Sequence, residues 1–310
     1  MMLFQRKKTI FCILLFLGPV LYGQNQKQVA LLEKAYRDSS ETLLYEFFDN
    51  WSNEVSSNGN EASNPWVAEA HKVFAAFYQP LQPDKIGCGG NEFQVMYQDY
   101  PYFIVQDTLY GIYMTDILPY RKNELVDYYT NRINRMYPDD STRKVEMASL
   151  KRMIENDNLD ADFIPDRYNI SSWMAVPITL VDSNISFRPH VAFPNKKIVY
   201  LTSGYVQLLN AFLRDDHVDW GTESIMQVAY AMEESQKRME FFEKAALIFY
   251  GHWGGYWQYE TYPKASSIIF DSQMQRAVVY FRFVYEGGEV FLEKQNGKWT
   301  VVSGQLTWIE

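Results

Sequence analysis

The last quarter of the chain carries the feature that most limits its fold, which is a pair of turn signals between apolar runs. Ala277 to Tyr285 is an apolar run interrupted only by Arg282, and EGGE (286–289) follows it. A second signal, QNGK (295–298), follows the next apolar run. A Gly-Gly or Asn-Gly pair between such runs is typical of a β-hairpin. The pattern therefore predicts an antiparallel meander over the end of the chain.

Periodic apolar residues upstream of the meander predict helices. Residues 26–80 carry three such stretches, and a longer helix is predicted to begin at Thr222 and to end near Gly251. Three of the predicted starts have a residue that suits a helix N-terminus. These residues are Asp38 with Glu41 for the second helix, Asn64 before Pro65 for the third, and Thr202 for a helix after residue 201.

Strand-like runs interrupt the helices in the middle of the chain. Tyr102 to Val105 and Leu109 to Tyr113 are predicted to form a hairpin around residues 106–108. Further short strands are predicted at 185–187 and 198–201. A helix is also predicted through Val145, Met147, Leu150 and Ile154.

These elements together predict an α+β protein. N-terminal helices and a mixed α/β region are followed by a long helix, which is expected to pack on the antiparallel meander. The polar stretch RDDHVDWG (214–221) is the best candidate for a boundary. It divides a helical and mixed α+β region (24–214) from a helix-plus-meander domain (222–310).

The end of the chain also resembles known folds. A helix followed by AVVYFRFVYEGGEVFLEKQNGKWTVV (277–302) is similar to the terminal meander of nuclear-transport-factor-like and cystatin-like α+β folds. The resemblance implies a curved sheet that encloses a pocket against a helix. It implies no particular chemistry, because such folds include enzymes, ligand binders and adaptors.

The N-terminus predicts export. QRKK (5–8) is basic, Thr9 to Leu21 is an apolar stretch of 13 residues, and the small residue Gly23 precedes Gln24. This order is that of a secretory signal peptide (residues 1–23), and the apolar stretch is shorter than the ~20 residues that span a bilayer. We expect cleavage, no remaining membrane anchor, and a periplasmic or extracellular protein. The Gly-Gln junction resembles those of proteins exported by Bacteroidota.

The charge balance narrows the choice of partners. The chain has 29 Lys and Arg against 38 Asp and Glu, a formal net charge of −9. Cleavage would remove Arg6, Lys7, Lys8 and no acid, which leaves 26 bases against 38 acids and a net charge of −12. Nucleic-acid binding needs a basic patch, so this balance argues against a nucleic-acid partner.

The two cysteines, Cys12 and Cys88, do not form a disulfide framework. Cys12 lies in the predicted signal peptide, so Cys88 is the single cysteine of the mature chain. The glycines around it, in IGCGG (86–90), could direct backbone N–H groups at an oxyanion, but no spacing pairs a histidine with this thiol. We therefore predict an unreactive thiol, and a Cys88→Ser variant that folds nearly unchanged.

Metal and cofactor motifs are missing from the sequence. There is no H-E-x-x-H, no G-x-S-x-G, no P-loop and no dinucleotide fingerprint. The acidic run at 155–162 has the composition of a calcium loop but lacks the central glycine and terminal glutamate of an EF-hand. We predict a solvated helix end there, and neither a metal site nor a cofactor.

Aromatic residues are concentrated between Tyr250 and Tyr262, at the junction of the long helix and the meander. Flat rings with polar edges suit a sugar or an apolar ligand. The alternative is that these rings fill the core between helix and sheet. Strict alternation would place Trp253, Trp257 and Tyr259 on one face, and Tyr256 and Tyr262 on the other. The predicted ligand-binding residues are Trp253, Tyr256, Trp257 and Tyr259.

Three classes of function fit these observations. The leading hypothesis is an exported, non-catalytic binding or interaction protein for a small molecule, a glycan or another protein. The alternative is a hydrolase of envelope or extracellular polymers, whose catalytic acids the sequence does not identify, so catalysis is left open. The third is a structural subunit of a surface assembly.

Overall fold

The computed structural model describes residues 26–57, 64–88, 95–116, 122–156, 178–214, 225–250 and 257–309. The predicted signal peptide, most of the acidic run, and the predicted ligand residues Trp253 and Tyr256 lie outside these residues. None of the helices within the described ranges combines the length and the apolar character needed to cross a membrane. Helices and strands combine in an α+β structure, which confirms the predicted fold class.

The helices fall into two groups along the chain, one before residue 160 and one after residue 200. The described helices are α1 (26–37), α2 (Glu41–Glu54), α3 (Pro65–Phe77), α4 (Lys122–Met136), α5 (Asp140–Asn156), α6 (Ser203–Leu213) and α7 (Ile225–Phe242), with a 3₁₀ turn at Pro83–Ile86.

The strands form one large sheet and two small ones. They are β1 (Tyr102–Gln106), β2 (Thr108–Thr115), β3 (Ile178–Ser186), β4 (Lys197–Leu201), β5 (Phe249–Tyr250), β6 (Trp257–Gln258), β7 (Lys264–Asp271), β8 (Arg276–Phe283), β9 (Glu286–Gln295) and β10 (Lys298–Ile309). The large sheet has the order β10-β9-β8-β7-β2-β3, while β1 pairs with β4 and β5 pairs with β6.

The predicted antiparallel meander is present as β7 to β10. Asn296 and Gly297 form its last turn with φ values of 52° and 78°, as the type I′ turn of an Asn-Gly pair requires. The predicted turn at Gly287-Gly288 is wrong, because Val284 and Tyr285 make that connection and both glycines lie in β9. A turn at the glycines would place the start of β8 opposite residues beyond Asn296, so β8 could not pair along its length.

The predicted hairpin of β1 and β2 is also wrong. Only Asp107 separates the two strands, which is too short for the two-residue loop of a hairpin. Strand β1 instead pairs in parallel with β4, and β2 pairs in parallel with β7 and antiparallel with β3. All five residues of β1 are buried, as expected for a strand covered on both faces.

The pairing of β2 with β7 carries the sheet across the predicted boundary at residues 214–221. Strands from both sides of that boundary therefore share one sheet, and the division into two domains stays a prediction.

Two large hydrophobic cores lie within the described residues. The sheet core lies between α3 and the large sheet, where α3 buries residues spaced three and four apart. Its members include Ala70, Phe74, Phe77, Ile112, Ile268, Val279 and Phe281. The helical core lies among α1, α2, α6 and α7. Its members include Leu32, Phe47, Phe48, Trp51, Leu209, Phe212, Phe241 and Phe242.

The pair β1–β4 separates the two cores and contributes to both. Side chains of a strand alternate between its faces. Thus Tyr102 and Ile104 of β1 lie in the helical core, whereas Phe103 and Val105 lie in the sheet core. The Trp51 indole connects the helical core to this layer, because it donates a hydrogen bond of 3.0 Å to the carbonyl of Tyr200 on β4.

Helix ends explain two further differences from the sequence prediction. Ser40, not Asp38, caps α2, because its side chain accepts a hydrogen bond from Leu43 N. Asn64 and Thr202 cap α3 and α6 as predicted. Helix α7 ends at Phe242 rather than near Gly251, because the following turn is bonded to β1 through Tyr102 N and the Ala245 carbonyl.

Candidate functional site

A cavity of about 330 Å³ lies where the two cores meet. Val206 and Asn210 of α6 line one wall, and Arg282 of β8 lines another. Most of the remaining wall belongs to residues 257–264, which run from β6 to the start of β7 and which we call the crossing segment. Ligand pockets span about 300–1,000 Å³, so the cavity is large enough for one small ligand.

Backbone and side-chain hydrogen bonds from Thr261 hold the crossing segment against β1. Thr261 N donates to the Ile104 carbonyl at 2.7 Å, and Ile104 N donates to Thr261 Oγ1 at 2.9 Å. The Tyr78 hydroxyl donates to the Thr261 carbonyl at 3.1 Å. Since all three groups are buried, the position of this cavity wall is fixed by the core beneath it.

Two more buried side chains fix the ends of this connection. The Tyr97 hydroxyl accepts a hydrogen bond from Tyr262 N at 3.0 Å. The Gln106 amide bonds both backbone groups of Ala265, accepting from its N–H at 2.7 Å and donating to its carbonyl at 2.8 Å. Burial raises the pKa of Tyr97 and of Tyr78 well above the ordinary value, so both phenols stay protonated.

Trp257 is an aromatic residue of the cavity wall. Its side chain is half-buried and packs edge-on against Tyr250, with ring centroids 4.8 Å apart. The indole Nε1 is buried and has no hydrogen-bond partner within the described part of the chain. A buried donor without a partner costs about 1–3 kcal/mol.

Two tyrosines of the crossing segment are tied to amides that also line the cavity. The Tyr259 hydroxyl donates to Asn210 Oδ1 on α6, and the Tyr262 hydroxyl donates to Gln258 Oε1. Both amides line the cavity beside the rings that hold them. The walls therefore alternate aromatic surface with oriented polar groups.

Charged residues lie where the crossing segment meets the large sheet. The Lys264 ammonium and the Glu260 carboxylate form an ion pair, and both side chains are mostly buried. Arg282 Nε donates to the Val284 carbonyl at 2.7 Å, which orients its guanidinium group. Lys264 and Arg282 are opposite each other in the β7–β8 register.

Two of the four predicted ligand residues, Trp257 and Tyr259, line this cavity, and Trp253 and Tyr256 lie outside the described residues. The predicted alternation is wrong for Tyr262, which lines the same cavity as Tyr259. Residues 259–263 are not a regular strand, so their side chains do not alternate. The helix beside the cavity is α6, whereas the prediction placed the last helix there.

Sequence reasoning missed the polar wall of the cavity. The sequence did contain a sign that Arg282 is unusual, because it is the one charged residue in the apolar run 277–285. Asn210 and Lys264 had none, since each lies in an ordinary polar position of its own element. Only the fold brings these three residues to one place.

Cys88 is unsuited to catalysis. Its side chain is fully buried in the sheet core, and burial, together with the negative charge of Glu286, raises the pKa of the thiol to about 12. A thiol that is not ionised at neutral pH is a poor nucleophile. A serine there would bury a hydroxyl among apolar side chains, so Cys88→Ala is the milder substitution.

Within the ranges that the structure describes, no three His, Cys, Asp or Glu side chains are grouped to hold a metal ion. Comparisons with protein-family models, with curated proteins and with solved structures find no match to this chain. The resemblance to nuclear-transport-factor-like and cystatin-like folds therefore stays a prediction.

Proposed function

We propose that this protein is an exported, non-catalytic binding protein, and that its cavity holds one sugar residue or a sugar-like small molecule. The observation that carries the proposal is the composition of the cavity wall. Aromatic rings and side-chain amides surround one small volume. Ligand sites are characteristically apolar surfaces with a few oriented polar groups.

The aromatic part of the wall suits a sugar ring. Trp257, Tyr259 and Tyr262 each bring a flat apolar surface to the cavity. A pyranose has an apolar face of C–H groups and a polar rim of hydroxyls, so it can lie on a ring while its rim reaches polar groups. The cavity offers such groups at Asn210 and Gln258.

The charged part of the wall favours binding over hydrolysis. Glycoside hydrolysis commonly uses two carboxyl groups, about 5–9.5 Å apart across the scissile bond. Among the described lining residues, Glu260 is the one carboxylate, and it is held in an ion pair with Lys264. The hydrolase alternative needs a second acid, and none of the described lining residues supplies one.

Export is a separate part of the proposal, supported by the order of basic, apolar and small residues at positions 5–23. The intact mass of protein collected outside the cytoplasm tests it. The expected mass is that of a chain beginning at Gln24. A mass that includes residues 1–23 would contradict export with cleavage.

Calorimetric titration with a panel of neutral and acidic monosaccharides and disaccharides tests binding. We expect saturable binding of at least one sugar, and a loss of at least tenfold in affinity for Trp257→Ala, on the scale of an aromatic contact at a binding site, about 1–3 kcal/mol. Tyr110→Ala is the matched control, because Tyr110 is an exposed aromatic residue on β2 outside the cavity wall.

Trp257→Phe separates the two contributions of this residue, since it keeps a ring and removes the N–H group. We expect an affinity between those of the wild type and of Trp257→Ala. No saturable binding of any sugar in the panel, or full affinity in a folded Trp257→Ala variant, would overturn the proposal.

A further inference from the structure

Three backbone carbonyls converge on the side chain of Lys196, which is not itself part of the cavity wall. The ammonium donates to the Tyr97 carbonyl at 3.2 Å, to the Tyr100 carbonyl at 2.9 Å, and to the Gln98 carbonyl. It also lies 5.5 Å from the centre of the Phe103 ring. An ammonium group has three N–H donors, so these carbonyls can accept all of them. We call the three carbonyls and the ring the ammonium cage.

The cage closes a turn that has no regular backbone pairing of its own. Residues 95–100 precede β1 and form neither a helix nor a strand. Lys196 approaches them from a second turn, which is closed by a bond of 3.2 Å from Lys196 N to the Phe193 carbonyl and contains Asn195 with a φ of 60°. Burial lowers the pKa of the Lys196 ammonium, although the charge of Asp99 opposes this shift. The carbonyls therefore replace part of the water around the charge.

Tyr97 connects the ammonium cage to the crossing segment. Its carbonyl accepts a hydrogen bond from Lys196, and its buried hydroxyl accepts one from Tyr262 N at 3.0 Å. Tyr262 lines the cavity. Since one residue makes both bonds, the place of Tyr262 in the cavity wall depends on where the turn at residues 95–100 is held.

We propose that Lys196 is a positioning residue of the binding site, whose ammonium holds the turn at residues 95–100 so that the Tyr97 hydroxyl can hold Tyr262 in the cavity wall. This inference rests on the proposed sugar-binding function and concerns the same site. The cage requires a primary ammonium group. A guanidinium group is planar and distributes its N–H groups over several nitrogens, so it cannot direct three donors from one atom to converging carbonyls.

Hydrogen exchange of backbone amides, resolved by residue with NMR, tests the positioning without any ligand. We expect Lys196→Ala to speed exchange at Tyr262 N about tenfold, on the scale of one net hydrogen bond. Thr261 N is the internal reference, because it donates to the Ile104 carbonyl and not to Tyr97. Its exchange should change less. Equal acceleration at both amides would overturn the inference, since a general loss of stability has that effect.

Alkylammonium ions separate the role of the ammonium group from that of the rest of the side chain. Alanine keeps Cβ, so propylammonium supplies the atoms that Lys196→Ala removes. We expect this ion to restore slow exchange at Tyr262 N. Tetramethylammonium is the control, because it has the same charge but no N–H donor. Lys196→Arg should exchange as fast as Lys196→Ala. Equal effects of the two ions, or slow exchange in Lys196→Arg, would contradict the inference.

Sugar affinity connects the positioning to binding. For the sugar of the panel that binds most tightly, Lys196→Ala and Tyr97→Phe should each lower the affinity several-fold. The double variant should lose no more than the larger single effect, because both changes act through the same contact. Lys197→Ala is the matched control and should keep full affinity, since the ammonium of this neighbouring lysine pairs with Asp49.

The outcomes separate this inference from the proposed function. Full sugar affinity in a folded Lys196→Ala variant overturns the inference and leaves sugar binding intact. The absence of binding by every sugar overturns the proposed function, and exchange at Tyr262 N still decides whether Lys196 positions the cavity wall. If Lys196→Ala fails to fold, Lys196→Met replaces it, because methionine keeps an aliphatic stem and removes the donors. Unchanged exchange at Tyr262 N in that variant contradicts the inference.

Discussion

The sheet core and the helical core are stabilised in different ways. In the sheet core, backbone hydrogen bonds between strands set the register, and side chains then fill the space under α3. In the helical core, backbone hydrogen bonds lie within each helix, so the helices contact one another through side chains, two of which reach backbone carbonyls of α6. Stacked rings, such as Trp51 and Tyr205 with centroids 4.2 Å apart, fill much of it.

This difference explains where the cavity lies. The two cores meet across β1 and β4, which have only five residues each. Strand β4 ends at Leu201, and Leu201 lines the cavity. Beyond that point the crossing segment and α6 face each other across the cavity. The cavity therefore lies where two well-packed regions meet and neither extends far enough to fill the gap.

The largest expected effects come from removing one ring from each core. Phe48→Ala in the helical core and Phe74→Ala in the sheet core should each lower the free energy of unfolding by about 3–5 kcal/mol, because both side chains are fully buried. Because β1 and β4 belong to both cores, we expect either variant to unfold in one transition. Urea titrations followed by circular dichroism and by tryptophan fluorescence test this.

The control for both substitutions is Tyr110→Ala, whose side chain is 59% exposed and whose cost should stay within about 0.5 kcal/mol. Two separate unfolding transitions in Phe48→Ala, with the sheet unfolding at higher urea, would contradict this expectation. They would show that the β1–β4 pair does not couple the two cores and that each core unfolds independently.

Removing a buried charged side chain from the helical core should give the next largest effect on the free energy of unfolding. Arg238 is buried, pairs with Glu33 at 2.7 Å and Glu234 at 2.9 Å, and lies between the rings of Tyr36 and Phe212. Arg238→Ala leaves both acids without this partner, so we expect a loss of about 3 kcal/mol, measured by urea denaturation.

The neighbouring residue Lys237 provides the control, since it is exposed and pairs with Glu233 on the helix surface. Lys237→Ala should cost no more than about 0.5 kcal/mol. Equal losses in the two variants would show that the buried arginine has no special role in the helical core.

The smallest predicted effect is a dependence of the free energy of unfolding on pH, and it arises at the edge of the sheet core. Glu69 on α3 is held by Lys72, by Lys294 of β9 and by the Trp299 indole of β10. Burial alone would raise the pKa of this carboxyl group, but these three hydrogen bonds lower it to about 2. A lowered pKa stabilises the fold above the ordinary value near 4.5, and this contribution is lost as the pH falls towards 2.

Glu69→Gln should therefore cost about 1 kcal/mol at pH 7 and progressively less below pH 4.5. Thermal unfolding of both proteins between pH 7 and pH 2 measures the difference. A difference that stays constant over this range would show that the charge of Glu69 does not connect α3 to the meander.

The parts of the fold that follow from neighbouring residues could be predicted. The Asn296-Gly297 turn, the caps Asn64 and Thr202, and the C-terminal meander each depend on a short stretch of sequence. The parallel pairings could not, because β1 with β4 and β2 with β7 join residues that are far apart in the chain. The apolar run from Tyr102 to Val105 predicted a strand but did not identify its partner.

The residues of the candidate site also divide into those that the sequence could predict and those that it could not. The aromatic density of residues 250–262 was enough to select Trp257 and Tyr259, which do line the cavity. Asn210, Lys264 and Arg282 come from three elements whose proximity depends on the long-range pairings, so no spacing in the sequence relates them. The ring surface was therefore predictable and the charge of the site was not.

A crystal structure of the protein with the most tightly bound sugar of the panel tests the central claim most directly. The account predicts the sugar in the cavity at the junction of the two cores, with its ring on Trp257. A sugar bound elsewhere on the molecule, with this cavity unchanged, would contradict the claim that the junction is the binding site.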